Sequence, residues 1–217
     1  LRTPVSVIRA NSETLLESAL EDKKQAKVFV ISILHNSERL TEMVTDLLDL
    51  SRIEHGELKL HIEKLNLQEC IDKSIDYLKN LGKKKNVVIK CNCPNKTQHV
   101  LADKKALERI LTNLIDNAFK YSEENSVINI ATKTKHKDDN VLISITDVGK
   151  GISDKDKPII FDRFYRTAEA RASEKKGSGL GLAIVKNLVN SLNGDVGVKN
   201  APNNKGSQFW LTLPIAR

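Results

Sequence analysis

N-L-I-D-N-A-F-K-Y-S, running from Asn113 to Ser122, decides the fold, because it sets two carboxamides four residues apart inside an apolar helical repeat. Leu111, Leu114, Ile115, Ala118 and Phe119 recur at spacings of three and four, so Lys104 to Tyr121 reads as a helix with Asn113 and Asn117 on one face. Further on, D-V-G-K-G-I at Asp147 to Ile152 places a carboxylate beside Gly149 and Gly151, directly after the alternating segment Val141 to Thr146. G-S-G-L-G-L at Gly177 to Leu182 is a glycine-rich turn entering an apolar helix through Ile184, Val185 and Leu188. Short glycine patterns recur by chance, so the order and spacing of the three segments carry the weight. Together they fit one nucleotide site.

Each segment has a chemical reason for its residues. Amide oxygens suit a hard cation, and magnesium keeps waters and phosphates in its octahedral shell, so one or two protein oxygens suffice. Lys120, a turn beyond Asn117, would aim a cation at phosphate; taken alone, this helix could equally be an ordinary amphipathic one. A carboxylate at Asp147 can accept a hydrogen bond from an exocyclic amine, and its glycines let backbone and base approach closely. Without the other segments, a strand-ending Asp-x-Gly turn explains it as well. Gly177, Gly179 and Gly181 bracket Ser178 and Leu180 at a helix start, where free N–H groups bind phosphate. The pattern is neither G-x-x-x-x-G-K-[ST] nor a strand-led dinucleotide fingerprint, so the expected ligand is ATP in another fold.

Outward from these segments the chain divides. Leu1 to about Leu20 and Lys23 to His55 repeat apolar residues at three and four, with Glu21-Asp22 between them, which predicts a helical hairpin. Ile33, Leu40, Val44, Leu47 and Leu48 trace one stripe of the second arm. Two helices bury too little alone, so the hairpin is expected to pair with a second copy in a four-helix bundle. From Gly56 the pattern shortens, predicting a boundary near 56–62, a hairpin domain at 1–58 and an α/β sandwich at 59–217. The expected class is α+β. Strands are expected at Leu58 to Ile62, Val87 to Cys91, Val127 to Thr134, Val141 to Thr146, Val196 to Lys199 and Ser207 to Leu213, and helices at Leu67 to Leu81, Lys104 to Tyr121 and Gly181 to Leu192, covering one sheet face. Thr167 to Lys176 is polar and Ala-rich, and reads as a mobile lid beside the glycine turn.

Composition narrows the partners. The 217 residues are 40% hydrophobic and 29% charged, enough to bury a core and too rich for disorder. The most apolar run, Val28 to Leu34, is broken by Ser32 and falls short of a membrane span. A net charge of +7 could attract phosphates or acids, but aromatics are few and not interleaved with basic residues, so nucleic acid is not expected as a partner. Cys70, Cys91 and Cys93 form no C-x-x-C pair, which reads as reduced thiols; Cys91 and Cys93 alternate near His99, leaving a metal site as the lesser alternative. A start at Leu1, with neither Met nor a leader pattern, reads as part of something longer.

The whole chain resembles the cytoplasmic core of a sensor histidine kinase, a dimerisation hairpin followed by a Bergerat-type ATP-binding domain. Asn113 to Ser122 resembles that family's N box, Asp147 to Ile152 the G1 box, I-F-D-R-F-Y-R at Ile160 to Arg166 the F box, Gly177 to Leu182 the G2 box and G-S-Q-F-W-L-T-L-P at Gly206 to Pro214 the G3 strand. The resemblance implies that Asn117 and Asn113 hold Mg2+, that Lys120 and Tyr121 line the phosphate and ribose side, and that Asp147 bonds the adenine amine. It implies that Gly149, Gly151, Ile152, Gly177, Ser178, Gly179, Leu180, Gly181, Leu182 and Ser207 shape the pocket. Arg163 and Arg166 lie where the family carries cations near the phosphates, with surface arginines beside Phe161 and Phe164 as the alternative.

L-R-T-P at Leu1 to Pro4 is similar to the continuation of the family's H-E-L-R-T-P box, whose His and acid would stand just before it. Thr3 then matches the position associated with dephosphorylating the partner regulator, or is an ordinary Thr before a first-turn Pro. His35 lacks an adjacent acid, and His55, His61, His99 and His136 read as surface residues. L-L-E-S-A-L-E-D at Leu15 to Asp22, with S-E-R-L-T-E-M-V-T-D-L-L-D-L-S-R-I-E-H-G-E at Ser37 to Glu57, is similar to phosphate-regulon sensor kinases. The resemblance implies a homodimer, a response-regulator receiver domain as partner, and the cytoplasmic portion of an inner-membrane-anchored bacterial sensor. Rival readings are another ATPase of the superfamily, such as gyrase, mismatch-repair or heat-shock ATPases or an anti-sigma kinase, and a non-catalytic regulator-binding module.

Overall fold

A computed structural model describes residues 2–19, 22–83, 85–94, 98–135, 139–172, 177–202 and 205–216. The chain separates into two compact units, Leu1–Ser51 and Arg52–Arg217. In the first, helix α1 (Arg2–Thr14) runs into a π-helical turn (Leu15–Ala19), and helix α2 (Lys23–Glu54) follows. Asn11 Nδ2 donates to Ser32 Oγ at 2.7 Å, joining the two arms of the hairpin. Asp22 begins α2 by accepting from the N–H groups of Lys24 and Gln25. Gly56 ends it at φ +68, with the Glu57 N–H bonded to the Arg52 carbonyl in a left-handed cap.

The second unit holds β1 (Ile62–Asn66), α3 (Leu67–Lys83), β2 (Val88–Asn92), β3 (His99–Asp103), α4 (Lys104–Tyr121), β4 (Val127–Lys135), β5 (Asn140–Thr146), α5 (Ala168–Ala172), α6 (Gly181–Ser191), β6 (Val196–Asn200) and β7 (Ser207–Pro214). Five strands form one sheet in the order β2-β4-β5-β7-β6, and β1 pairs with β3 in a separate ribbon. All pairs are antiparallel except β2 with β4. Along β5, Val141, Ile143 and Ile145 are buried while their neighbours are half-buried, the alternation of a sheet with one face against a core. The buried stripe of α4, including Leu107, Ile110, Leu111, Leu114 and Ile115, packs with α3 and α6 over this sheet. Trp210 crosses Gly197, where a Cβ would meet the indole at 2.5 Å.

The structure departs from the sequence reading in two places. The first strand occupies Ile62–Asn66 rather than Leu58 to Ile62, because its register is set by β3, which the sequence reading lacked. The expected lid opens with the short helix α5, five residues being too few for a helical period to emerge from sequence; its remainder, 173–176, lies outside the described residues, as does His136. Cys91 and Cys93 sit at the end of β2, but among the described residues no group of three His, Cys, Asp or Glu could hold a metal ion. Among those residues, too, no helix is long and apolar enough to cross a membrane.

Candidate nucleotide site

Asp147 is 4% exposed at the end of β5, where its strand hands over to a glycine turn. Its Oδ1 accepts from the N–H of Gly149 at 2.9 Å and from the N–H of Ser207 at 3.2 Å. Its own N–H donates to the Ser207 carbonyl at 2.9 Å, so both backbone and side chain are tied to the start of β7. The glycines around it are required by space. A Cβ at Gly149 would stand 2.5 Å from the Tyr121 carbonyl oxygen, and one at Gly206, whose φ is +99, would stand 2.1 Å from that of Asp147. Gly151 is left-handed at φ +76, facing Gly206, with Ile152 half-buried after it. The G1 turn, the G3 strand and the end of α4 therefore meet at one carboxylate.

Helix α4 carries the carboxamides. Asp103 caps its start by accepting from the N–H of Ala106 at 2.9 Å while taking the His61 N–H at 2.9 Å. Burial opposes ionisation of Asp103, yet these backbone donors outweigh it and hold the carboxyl below its ordinary value. Asn113 donates through Nδ2 to the Arg109 carbonyl at 2.9 Å, which turns its Oδ1 outward. A Cβ at Gly181 would meet that oxygen at 2.7 Å, so the missing side chain lets α6 begin against Asn113. Asn117 is half-buried one turn on. Lys120 pairs with Asp116 at 2.5 Å on the same helix, and Tyr121 is exposed beside it.

The G2 turn and the F segment are joined. Gly179, at φ +75, accepts from the Phe164 N–H at 2.9 Å, and a Cβ there would lie 2.8 Å from the Phe164 carbonyl carbon. Phe164 itself is left-handed at φ +60, a conformation a bulky residue adopts only when its surroundings impose it. Ser178 Oγ accepts from the Leu180 N–H at 3.2 Å, Leu180 is buried, and Gly177 and Leu182 are half-buried on either side. Phe161 anchors the segment edge-on to Phe209, with ring centroids 6.5 Å apart. Arg163 pairs with Glu54, and Arg166 donates to the Ala170 carbonyl within α5, so both guanidiniums already have protein partners.

Two groups escaped the sequence reading. Lys85 directs Nζ into three carbonyl oxygens at the end of α4, those of Lys120 at 2.9 Å, Phe119 at 3.0 Å and Ser122 at 3.3 Å. Nothing local to Lys85 marks it, since its partners lie more than thirty residues away. Asp156 accepts from Ser153 Oγ and from the Tyr165 hydroxyl, each at 2.6 Å. The Ser153 bond first, then the Tyr165 bond, hold the Asp156 carboxyl below its usual range, and the same contact pushes the Tyr165 phenol up. In the first unit Thr3 is exposed beside buried Pro4. His35, His55 and His61 are exposed, and His99 is half-buried on β3.

Comparison with known proteins finds two families along the chain. Residues 1–56 match the His Kinase A (phospho-acceptor) domain, and residues 102–217 match the histidine kinase-, DNA gyrase B- and HSP90-like ATPase family. The chain is 33% identical over 214 residues to the sensor histidine kinase WalK of Bacillus subtilis, covering 99% of this chain and 35% of that protein. It is also 33% identical to the sensor-like histidine kinase SenX3 of Mycobacterium tuberculosis, covering 99% of this chain and 51% of the relative. The chain thus spans about half the length or less of these relatives. Among solved structures, the histidine kinase AdeS of Acinetobacter baumannii shares the fold over 100% of this chain and 98% of its own, with a TM-score of 0.82 at 24% identity. With a phospho-acceptor domain over residues 1–56 followed by the matching ATPase domain over residues 102–217, the chain belongs to the histidine kinases.

Proposed function

We propose that the second unit binds Mg-ATP and that the parent protein uses it to phosphorylate a hairpin histidine, from which the phosphoryl group passes to an aspartate of a response-regulator receiver domain. The observation that carries this reading is the buried Asp147, whose Oδ1 is fixed by N–H groups from two separated segments where an adenine amine would need an acceptor. The amide oxygens of Asn113 and Asn117 suit magnesium, and Asn113 has its Nδ2 committed elsewhere, which leaves oxygen as the donor it offers. Bound there, magnesium would neutralise phosphate charge. Lys120 and Tyr121 are assigned the phosphate and ribose side, Gly177 to Leu182 the phosphates at the start of α6, and Arg163 and Arg166 a secondary role on the same side. Phosphoryl transfer asks the protein mainly for position and charge, and a rigid carboxylate with close-packed glycines supplies position. Thr3 is assigned to regulator dephosphorylation.

Titration calorimetry tests the site. Asn117→Ala is expected to abolish magnesium-dependent ATP binding, and Asp147→Asn to weaken adenine nucleotides; unchanged affinity in both refutes the assignment. Chemistry is tested separately, on the chain extended through the residues encoded before Leu1 and incubated with γ-labelled ATP. Acid-labile, base-stable label supports histidine phosphorylation, and no label favours a regulator-binding scaffold.

A further inference from the structure

Away from the nucleotide site, Cys91 and Cys93 bring their sulfurs to 2.9 Å from one another. Cys91 lies on β2, an edge strand of the five-stranded sheet, and Cys93 follows one residue beyond its end, so the pair stands where a small molecule can reach it. Cys91 is exposed and Cys93 half-buried. Gln68 Nε2, on α3, lies 3.7 Å from Cys91 Sγ while donating to Asp72 at 2.8 Å. The third cysteine, Cys70, is buried in α3. We propose that Cys91 and Cys93 form a dithiol site that exchanges with low-molecular-weight disulfides and closes a reversible bond within the chain.

The step balances with the small disulfide as oxidant. Cys91, the exposed thiol, loses its proton and attacks one sulfur of R–S–S–R; that S–S bond breaks and the first R–S⁻ leaves, taking up a proton. Cys93 then loses its proton and attacks Cys91 Sγ; the mixed S–S bond breaks and the second R–S⁻ leaves, taking up a proton in turn. Two protein thiols are oxidised by two electrons, and one small disulfide is reduced to two thiols. The environment orders the steps. Burial first, then the hydrogen bond with Cys91, push Cys93 up to about 12, while a hydrogen bond with Thr132 acts the other way. Cys93 is therefore the thiol that keeps its proton at the outset, and a cap on Cys91 removes the hydrogen bond and the charge that Cys91 contributed while the burial stays. A ring closed over so few residues is strained, which makes the bond an exchangeable one.

The test incubates the chain in mixtures of reduced and oxidised glutathione, alkylates remaining thiols and weighs the peptides. The wild type is expected to yield a peptide holding both residues, lighter by two hydrogen atoms, and to recover fully in reduced glutathione. Cys70→Ser should behave identically, whereas Cys93→Ser should stop at a glutathione adduct on Cys91. A wild type that remains reduced in oxidised glutathione, that stops at the adduct, or that bonds Cys70 or a second chain overturns the proposal.

Discussion

At the scale of single residues, the site is built by what glycines leave out. Gly206 combines φ +99 with a Cβ position 2.1 Å from the Asp147 carbonyl, so Gly206→Ala is expected to cost about 1–3 kcal/mol of stability and most of the ATP affinity. Gly177 meets nothing within 4 Å, and Gly177→Ala should stay within about 0.5 kcal/mol of wild type in urea denaturation. Both glycines sit in segments that resemble the family's boxes, yet sequence treats them alike; only the neighbouring carbonyl separates them. The Asp156–Tyr165 pair gives a pH signature. Asp156 is depressed, so its contribution is present above about pH 4 and fades as pH falls through its native value. Tyr165 is raised, so its contribution holds below about pH 10 and fades as pH rises through its native value. Denaturation of wild type and Tyr165→Phe should therefore differ by a constant offset between these limits and converge beyond them.

At the scale of elements, α4 is the piece that holds the site. Asp103→Ala should destabilise the unit by about 1 kcal/mol, since the cap serves both the Ala106 and His61 N–H groups. Lys85→Met leaves three carbonyls without their ammonium; a loss of about 2 kcal/mol, faster amide exchange over 119–123 and several-fold weaker ATP binding are expected. Unchanged exchange there would show that Lys85 does not hold the helix end. The bounds of α4 were legible because eighteen residues contain five turns of one apolar period. Strands β4, β5, β6 and β7 were legible to within a residue or so because alternation and flanking turns bracket them. Strand β3 was not, since His99 to Asp103 is short and its one neighbour in the ribbon, β1, is largely exposed and carries no apolar alternation.

At the scale of the whole molecule, the hairpin exposes more apolar surface than its two helices can cover. Val28 is 66% and Leu48 56% exposed in the single chain, and contiguous apolar surface of this kind marks an interface. Leu48→Glu is expected to shift sedimentation from dimer to monomer while leaving ATP affinity in the second unit within roughly two-fold; a wild type that sediments as a monomer would rule out the expected four-helix bundle. The amino-acid order by itself determined the hairpin period, the glycine turns and the succession of boxes, because each is written within a few residues of chain. Tertiary structure alone decided that the Ser207 N–H reaches Asp147 across sixty residues, that Gly181 abuts Asn113 and that Lys85 plugs the end of α4. Those contacts join distant segments through packing and strand register, and neither leaves a period in the sequence.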